Sequence, residues 1–122
     1  MILDHVVINV SDLERSRRFY AAALAPLGVS ELMSRPGTAG FGMRGKPEFW
    51  LRERELADPV HVAFATDRAT VDAFHAAAIA AGATDNGGPG VREIYHPAYY
   101  GAFVLDPDGH NIEAVCHRPA ED

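Results

Sequence analysis

Apolar and polar residues along the chain run twice through the same order. Residues 2–10, ILDHVVINV, are rich in β-branched side chains and predict a strand. Ser11 and Asp12 follow. Either can cap a helix, because a short oxygen-bearing side chain accepts a free backbone N–H there. The segment LERSRRFYAAALAPLG then predicts a helix, with Leu13, Phe19, Tyr20 and Leu24 near a helical period and Pro26 and Gly28 ending it. Short strands are expected around 29–34, 38–43 and 48–53, separated by RPGTAG and RGKP. The order restarts with PVHVAFAT, a strand, and DRATVDAFHAAAIAAG, a capped alanine-rich helix ended by Gly82. The stretch 84–98 carries two prolines and three glycines and is expected to be mainly loop. Two closing strands, YGAFVLD and NIEAVC, flank the turn DPDGH.

A β-α-β-β-β unit therefore occurs twice, in modules of about 1–55 and 58–118 within one α+β domain, 1–122. A unit of this size cannot bury its apolar sheet face alone. The two copies must pair within the chain or cover each other across a dimer. Either arrangement brings the opening strands near the symmetry axis, and with them His5 and His61, which stand at like positions of the two halves.

Composition narrows the function. At 122 residues, 48% hydrophobic and 23% charged, the chain has the make-up of a globular protein with a real core. A net charge of −6 and the lack of any Lys/Arg run argue against nucleic acid and acidic membranes as partners. A single cysteine, Cys116, excludes an intrachain disulfide framework and suits a reducing cytosol. The opening MILDHVVINV lacks a basic start, a long apolar core and a cleavage site, and no apolar run approaches the ~20 residues of a membrane span. A cytoplasmic location is expected.

Glu113 is out of place in this pattern, since it interrupts an apolar strand between Ile112 and Ala114. An unpaired carboxylate there is costly. A cation removes that cost. If the sheet curls, His5, His61 and Glu113 point into one concave face. Two imidazoles and a carboxylate suit a divalent ion of the Fe, Mn, Ni, Co or Zn type, with coordination positions left open for substrate or water.

On DHVVINVSDLERSRRFY at the start, VHVAF at the repeat and FVLDPDGHNIEAV at the end, the chain resembles the vicinal oxygen chelate superfamily. That superfamily includes glyoxalase I, extradiol dioxygenases, fosfomycin-resistance thiol transferases and bleomycin-binding resistance proteins. The resemblance covers nearly the whole chain. It implies two βαβββ modules forming a half-open curved mixed sheet, a homodimer, and a metal in the cavity held at the positions of His5, His61 and Glu113. There are departures. Glyoxalase I has a fourth ligand, a glutamate, where EFWLRER places Leu51 or a neighbour. The dioxygenases and fosfomycin enzymes carry a tyrosine where this chain has Phe103, and the fosfomycin enzymes a threonine where it has Val7.

The segment REIYHPAYYGA gathers Arg92, Tyr95, His96, Tyr99 and Tyr100, aromatics and polar groups of the kind that line small-molecule pockets. His96, near neutrality in its ordinary titration, is the candidate proton carrier, with Tyr100 as a second catalytic candidate. Arg92, Tyr95, Tyr99 and Phe103 are expected to contact substrate, and Trp50 to form an apolar wall or to pack in the core. His75 is expected on a solvated face, His110 in a turn or surface role, and His117 in a fraying tail, CHRPAED. GGPG is expected to be a mobile loop that gates the cavity, and Cys116 a small buried hydrophobe. The favoured function is a metal-dependent enzyme of the glyoxalase/dioxygenase type acting on a small oxygen-chelating substrate. The alternatives are a metal-free binding protein of the bleomycin-resistance type, suited to a cationic aromatic ligand, and an interaction module with a vestigial cavity.

Overall fold

A computed structural model describes residues 3–120. Ile2 of the predicted first strand and the last two residues of the tail lie outside the described residues. The first half runs β1 (Val6–Val10), α1 (Leu13–Ala23), a 3-10 turn (Ala25–Leu27), β2 (Ser30–Arg35), β3 (Thr38–Met43) and β4 (Lys46–Glu53). The second runs β5 (His61–Ala65), α2 (Arg68–Ala80), β6 (Thr84–Asp85), β7 (Gly90–Val91), β8 (Tyr100–Leu105) and β9 (Asn111–Cys116). Each half forms its own sheet. In the first the order is β1-β4-β3-β2, in the second β5-β9-β8-β6, with β7 also on β8. The opening strand of each half pairs parallel with its last strand, and the other pairings are antiparallel.

Local chemistry accounts for the boundaries. Asp12 caps α1 by accepting the Arg15 N–H at 3.1 Å, and Asp67 caps α2 by accepting the Thr70 N–H at 2.7 Å. Pro26 lies in the 3-10 turn, and Gly28 closes it with φ of 79°, a left-handed conformation that glycine adopts without strain. The expected loop at 84–98 is only partly loop. Two short strands, the later one starting at Gly90, pair with β8, so the second strand of the second half is present but broken between Asp85 and Gly90.

Alternation along the strands sorts their faces. Val6, Ile8, Val10, Phe41, Phe49, Leu51, Val62, Phe64, Ala102, Val104, Ile112 and Ala114 turn toward the helices. They meet Phe19, Tyr20 and Ala23 of α1 and Val71, Phe74 and Ala78 of α2 in one core. Tyr20 packs edge-on to Phe49 at 5.0 Å and Phe49 edge-on to Phe64 at 5.3 Å, so the aromatic contacts cross from one half to the other. Cys116 is buried and free, as expected.

The turn DPDGH fastens the halves together. Asp106, 5% exposed, accepts the Tyr20 hydroxyl at 2.5 Å and the backbone N–H groups of Asp108 and His110 at 2.9 and 2.8 Å. His110, 3% exposed, accepts the Val60 N–H on Nδ1 at 3.0 Å; its proton is therefore on Nε2, which donates to the Asn9 carbonyl at 2.8 Å. His110 is thus a buried bridge between β1 and the approach to β5, not a surface residue. Asp108 receives the Ser11 N–H at 3.0 Å and the Ser11 hydroxyl at 2.5 Å. His75 also departs from expectation: its Nε2 lies 2.9 Å from Asp85 Oδ1, tying α2 to the start of the glycine loop and holding the Asp85 carboxyl below its ordinary range. Among the described residues, no helix is long and apolar enough to cross a membrane.

Removing the Tyr20 hydroxyl leaves a buried carboxylate oxygen short of a donor. Tyr20→Phe is expected to cost about 1–3 kcal/mol. Urea unfolding checks it, through a lowered midpoint at unchanged slope. A midpoint equal to that of the wild type would mean that Asp106 is not bearing on Tyr20.

Candidate metal and substrate site

Glu113 lies mid-strand in β9, paired with Ala63 of β5 on one side and Phe103 of β8 on the other. Its neighbours Ile112 and Ala114 enter the core, so alternation turns Glu113 to the opposite face. It is nevertheless only 1% exposed. His61, first residue of β5, brings Nε2 to 2.9 Å from Glu113 Oε1, and its own side chain is half open to solvent. Tyr99 donates its hydroxyl to Glu113 Oε2. Gly101 makes the room. A Cβ there would stand 3.1 Å from the Tyr99 ring and 3.2 Å from Glu113 Oε2.

Aromatic groups close around this pair. Phe103 lies 6.1 Å from the His61 ring, centre to centre. Tyr95 packs on Tyr99 at 4.7 Å. The His96 and His117 rings stand edge-on to Tyr99 at 5.5 and 5.3 Å and stack on each other at 5.2 Å. His96 Nδ1 accepts the Ala98 N–H at 3.1 Å, which puts the His96 proton on Nε2; that proton is donated to His117 Nδ1 at 2.9 Å. His117 is therefore not a frayed tail residue. Burial, and then the hydrogen bond and charge of Glu113, push the Tyr99 phenol well above its ordinary value.

Other candidates lie elsewhere. Tyr100 is one residue out of phase with Tyr99 and faces α2. It donates to Asp72 Oδ1 at 2.5 Å beneath the Arg68 guanidinium, and that hydrogen bond is the first cause of its raised pKa. The expectation that Tyr100 joins His96 in catalysis is corrected on this ground. Arg92 lies over the Phe103 ring at 5.3 Å, but its donors go to the carbonyls of Gly88, Gly90 and Gly101 at 2.8, 2.8 and 3.1 Å. It latches the glycine loop to β8, so the gating loop expected at GGPG is fastened, and Phe103 N–H donates to Gly87 O at 2.8 Å as well.

His5 stands immediately before β1, with Nδ1 2.7 Å from Asp4 Oδ1, and its hydrogen bond is the first cause of a lowered Asp4 pKa. It rims a cavity of about 300 Å³ between the halves, walled by Phe41, Phe49, Val62 and Phe64, whose lining includes neither His61 nor Glu113. Among the described residues, no three His, Cys, Asp or Glu side chains stand close enough together to hold an ion. One chain thus brings together two of the three expected donors, and His5 is not with them.

The pairing also settles the fourth-ligand position. His5 and His61 are equivalent, hence so are Val7 and Ala63. Ala63 pairs with Glu113, and Val7 pairs with Trp50. Trp50, not the buried Leu51, therefore stands where the second half has its carboxylate. Its ring lies over Gly40, where a Cβ would come within 2.9 Å of it, on the face away from the helices.

Residues 5–115 match the glyoxalase-like domain family. The chain belongs to that family. Through it the protein is a member of the vicinal oxygen chelate superfamily. Among solved structures, a glyoxalase/bleomycin resistance protein from Albidiferax ferrireducens is 30% identical, with a TM-score of 0.83 over 95% of this chain and 99% of that one. A glyoxalase/bleomycin resistance protein/dioxygenase family enzyme from Burkholderia phytofirmans is 24% identical, with a TM-score of 0.74 over 95% and 98%. A fosfomycin resistance protein from Mesorhizobium loti is 23% identical, with a TM-score of 0.69 over 92% and 88%. The last two likenesses show the fold alone. No curated protein matches the chain.

The packing around this glyoxalase-like site is testable through its glycines. Gly101→Ala is expected to destabilise by about 1–3 kcal/mol, because the added methyl must displace the Tyr99 ring or the Glu113 carboxylate. Gly88→Ala, with nothing within 4 Å of the added carbon, should stay within about 0.5 kcal/mol of wild type. Thermal unfolding of the two variants side by side gives the comparison, and equal melting would contradict the tight fit at Gly101.

Proposed function

We propose that the protein is a metal-dependent enzyme of the glyoxalase/dioxygenase type, acting on a small substrate with two adjacent oxygens. His61 and Glu113 of one chain and His5 of a second copy would be its protein ligands. The observation that carries this is Glu113: a carboxylate 1% exposed, paired among the described residues with one imidazole and one phenol and with no lysine or arginine. A buried charge without a cation is unfavourable, and an imidazole nitrogen 2.9 Å from a carboxylate oxygen is a donor set that borderline divalent ions accept. A divalent ion bound there would supply Lewis-acid polarisation of a substrate oxygen.

The chain's own residues define the rest. Phe103, 6.1 Å from the His61 ring, forms an apolar wall beside it, and Tyr95 packs on Tyr99. Trp50, in place of a fourth carboxylate, limits the ligand set to three. The His96–His117 pair carries its outward proton on His117 Nε2, beyond Tyr99, as the proton-exchanging group of that wall. β1 and β5 each have a strand neighbour on one side only, and exposed Val7, Met43, Val91 and Tyr95 are distributed over both halves. A homodimer that covers them would also bring His5 of one copy to His61 and Glu113 of the other.

A second reading is a metal-free binding protein for a cationic aromatic molecule. It is favoured by the fact that His61 and Tyr99 already give each Glu113 oxygen a partner, and by the aromatic wall.

Metal content by elemental mass spectrometry separates the two. Tag-free protein would be loaded in turn with Fe(II), Mn(II), Ni(II) and Zn(II). About one ion per chain is expected, lost in both His5→Ala and Glu113→Ala. Mixing the two variants in equal amounts should restore about one ion per four chains, since about half of the dimers are then mixed and each mixed dimer has one of its two shared sites intact. No ion under any loading would end the enzyme reading and put the binding protein first. Loss in Glu113→Ala alone would remove His5 from the ligand set.

A further inference from the structure

Across the β8–β9 ladder the side chain opposite Glu113 is Phe103, which has no hydrogen-bonding group. The hydroxyl that reaches the carboxylate comes instead from Tyr99, in the turn just ahead of β8. That phenol is held from several sides. Tyr95 lies against its ring at 4.7 Å, His96 and His117 meet it edge-on at 5.5 and 5.3 Å, and the missing side chain at Gly101 leaves it the space to lie over the strand. The His96–His117 hydrogen bond, at 2.9 Å, fixes two of these neighbours relative to each other. So the Tyr99 hydroxyl has little freedom of its own.

The two Glu113 oxygens are divided. Oε2 takes the Tyr99 hydroxyl, and Oε1 faces His61 Nε2 at 2.9 Å, where the His61 side chain is itself half open to solvent. A carboxylate with one oxygen committed to a fixed donor cannot rotate freely, and offers only the other oxygen outward. We propose that Tyr99 is a positioning residue that fixes the Glu113 carboxylate, so that Oε1 alone is presented beside His61 Nε2. For its consequence in ion binding this rests on the metal-dependent reading above. Without Tyr99 the carboxylate is free to turn, and both oxygens compete for an ion.

The test uses Co(II) alone, with wild type, Tyr99→Phe and the exposed-site control Ile94→Ala. Titration calorimetry reads affinity, and the visible d–d absorption reads the ligand arrangement around the ion. Tyr99→Phe is expected to bind about 10- to 100-fold more weakly, with an altered d–d spectrum, while Ile94→Ala matches wild type. Equal affinity and an equal spectrum in Tyr99→Phe overturn the positioning role and leave the metal reading standing. The carboxyl carbon resonance of Glu113 in metal-free, glutamate-labelled protein, assigned by its loss in Glu113→Gln, gives an independent readout. It should shift in Tyr99→Phe. If wild type binds no Co(II), the metal reading fails and this resonance decides alone: a shift upholds Tyr99 as the residue that fixes Glu113, and no shift overturns it.

Discussion

The Asp106 carboxylate is the constraint on which the placement of the site depends. It is buried between the halves, takes the Tyr20 phenol from α1, and binds the backbone of the turn that follows it. A buried carboxylate tolerates little displacement, since each lost donor leaves part of its charge unsolvated. The turn it holds leads directly into β9, and His110, one residue before that strand, is itself pinned to Val60 and the Asn9 carbonyl. β9 therefore enters its sheet at a fixed register. In a strand, register decides which face each side chain takes. A slip of one residue would send Glu113 into the core and Ile112 to the site.

The two halves share a scaffold and differ in what they carry on it. The same strand pairing that puts Glu113 between Ala63 and Phe103 puts Trp50 between Val7 and Gly40. One half offers a carboxylate next to a large ring. The other offers a large ring over a glycine. The second strand differs too: β2 is continuous, whereas β6 and β7 are separated by a glycine loop that Arg92 fastens to β8. Duplication supplied the frame, and each half then used its outward face differently.

Much of this was legible in the sequence. The β-branched run at β1, the two capped helices and the hairpin around DPDGH follow from period, cap and turn chemistry, which are local. Glu113 could be singled out because a charge in an apolar strand is a conflict visible in a single segment. What could not be read depends on contacts between distant segments. Tyr99 and Tyr100 are adjacent and chemically alike, and only the start of β8 decides which faces Glu113 and which faces Asp72. His110 and His117 look like turn and tail residues until the opposite half, or the His96 loop, is packed against them. Trp50 emerges as the counterpart of Glu113 only from the strand register; by sequence alone the choice between it and Leu51 stays open.

The way Arg92 is used bears on what the site can accept. A guanidinium beside a cavity suggests an anionic ligand, since its planar donors match a carboxylate or phosphate. Here those donors go to three glycine carbonyls, and one face of the group lies on Phe103. Reaching an anion would mean giving up these three carbonyls, and would release the loop as well. The same groups thus build a preorganised wall at the expense of a cationic anchor. On the function proposed above, with the Glu113 carboxylate beside His61 and Arg92 committed to the loop, a neutral, oxygen-bearing or cationic aromatic ligand would suit this half better than an anion. Under that same proposal, positive charge for an oxygen-rich substrate would come from an ion held at His61 and Glu113, since the Arg92 guanidinium is already committed.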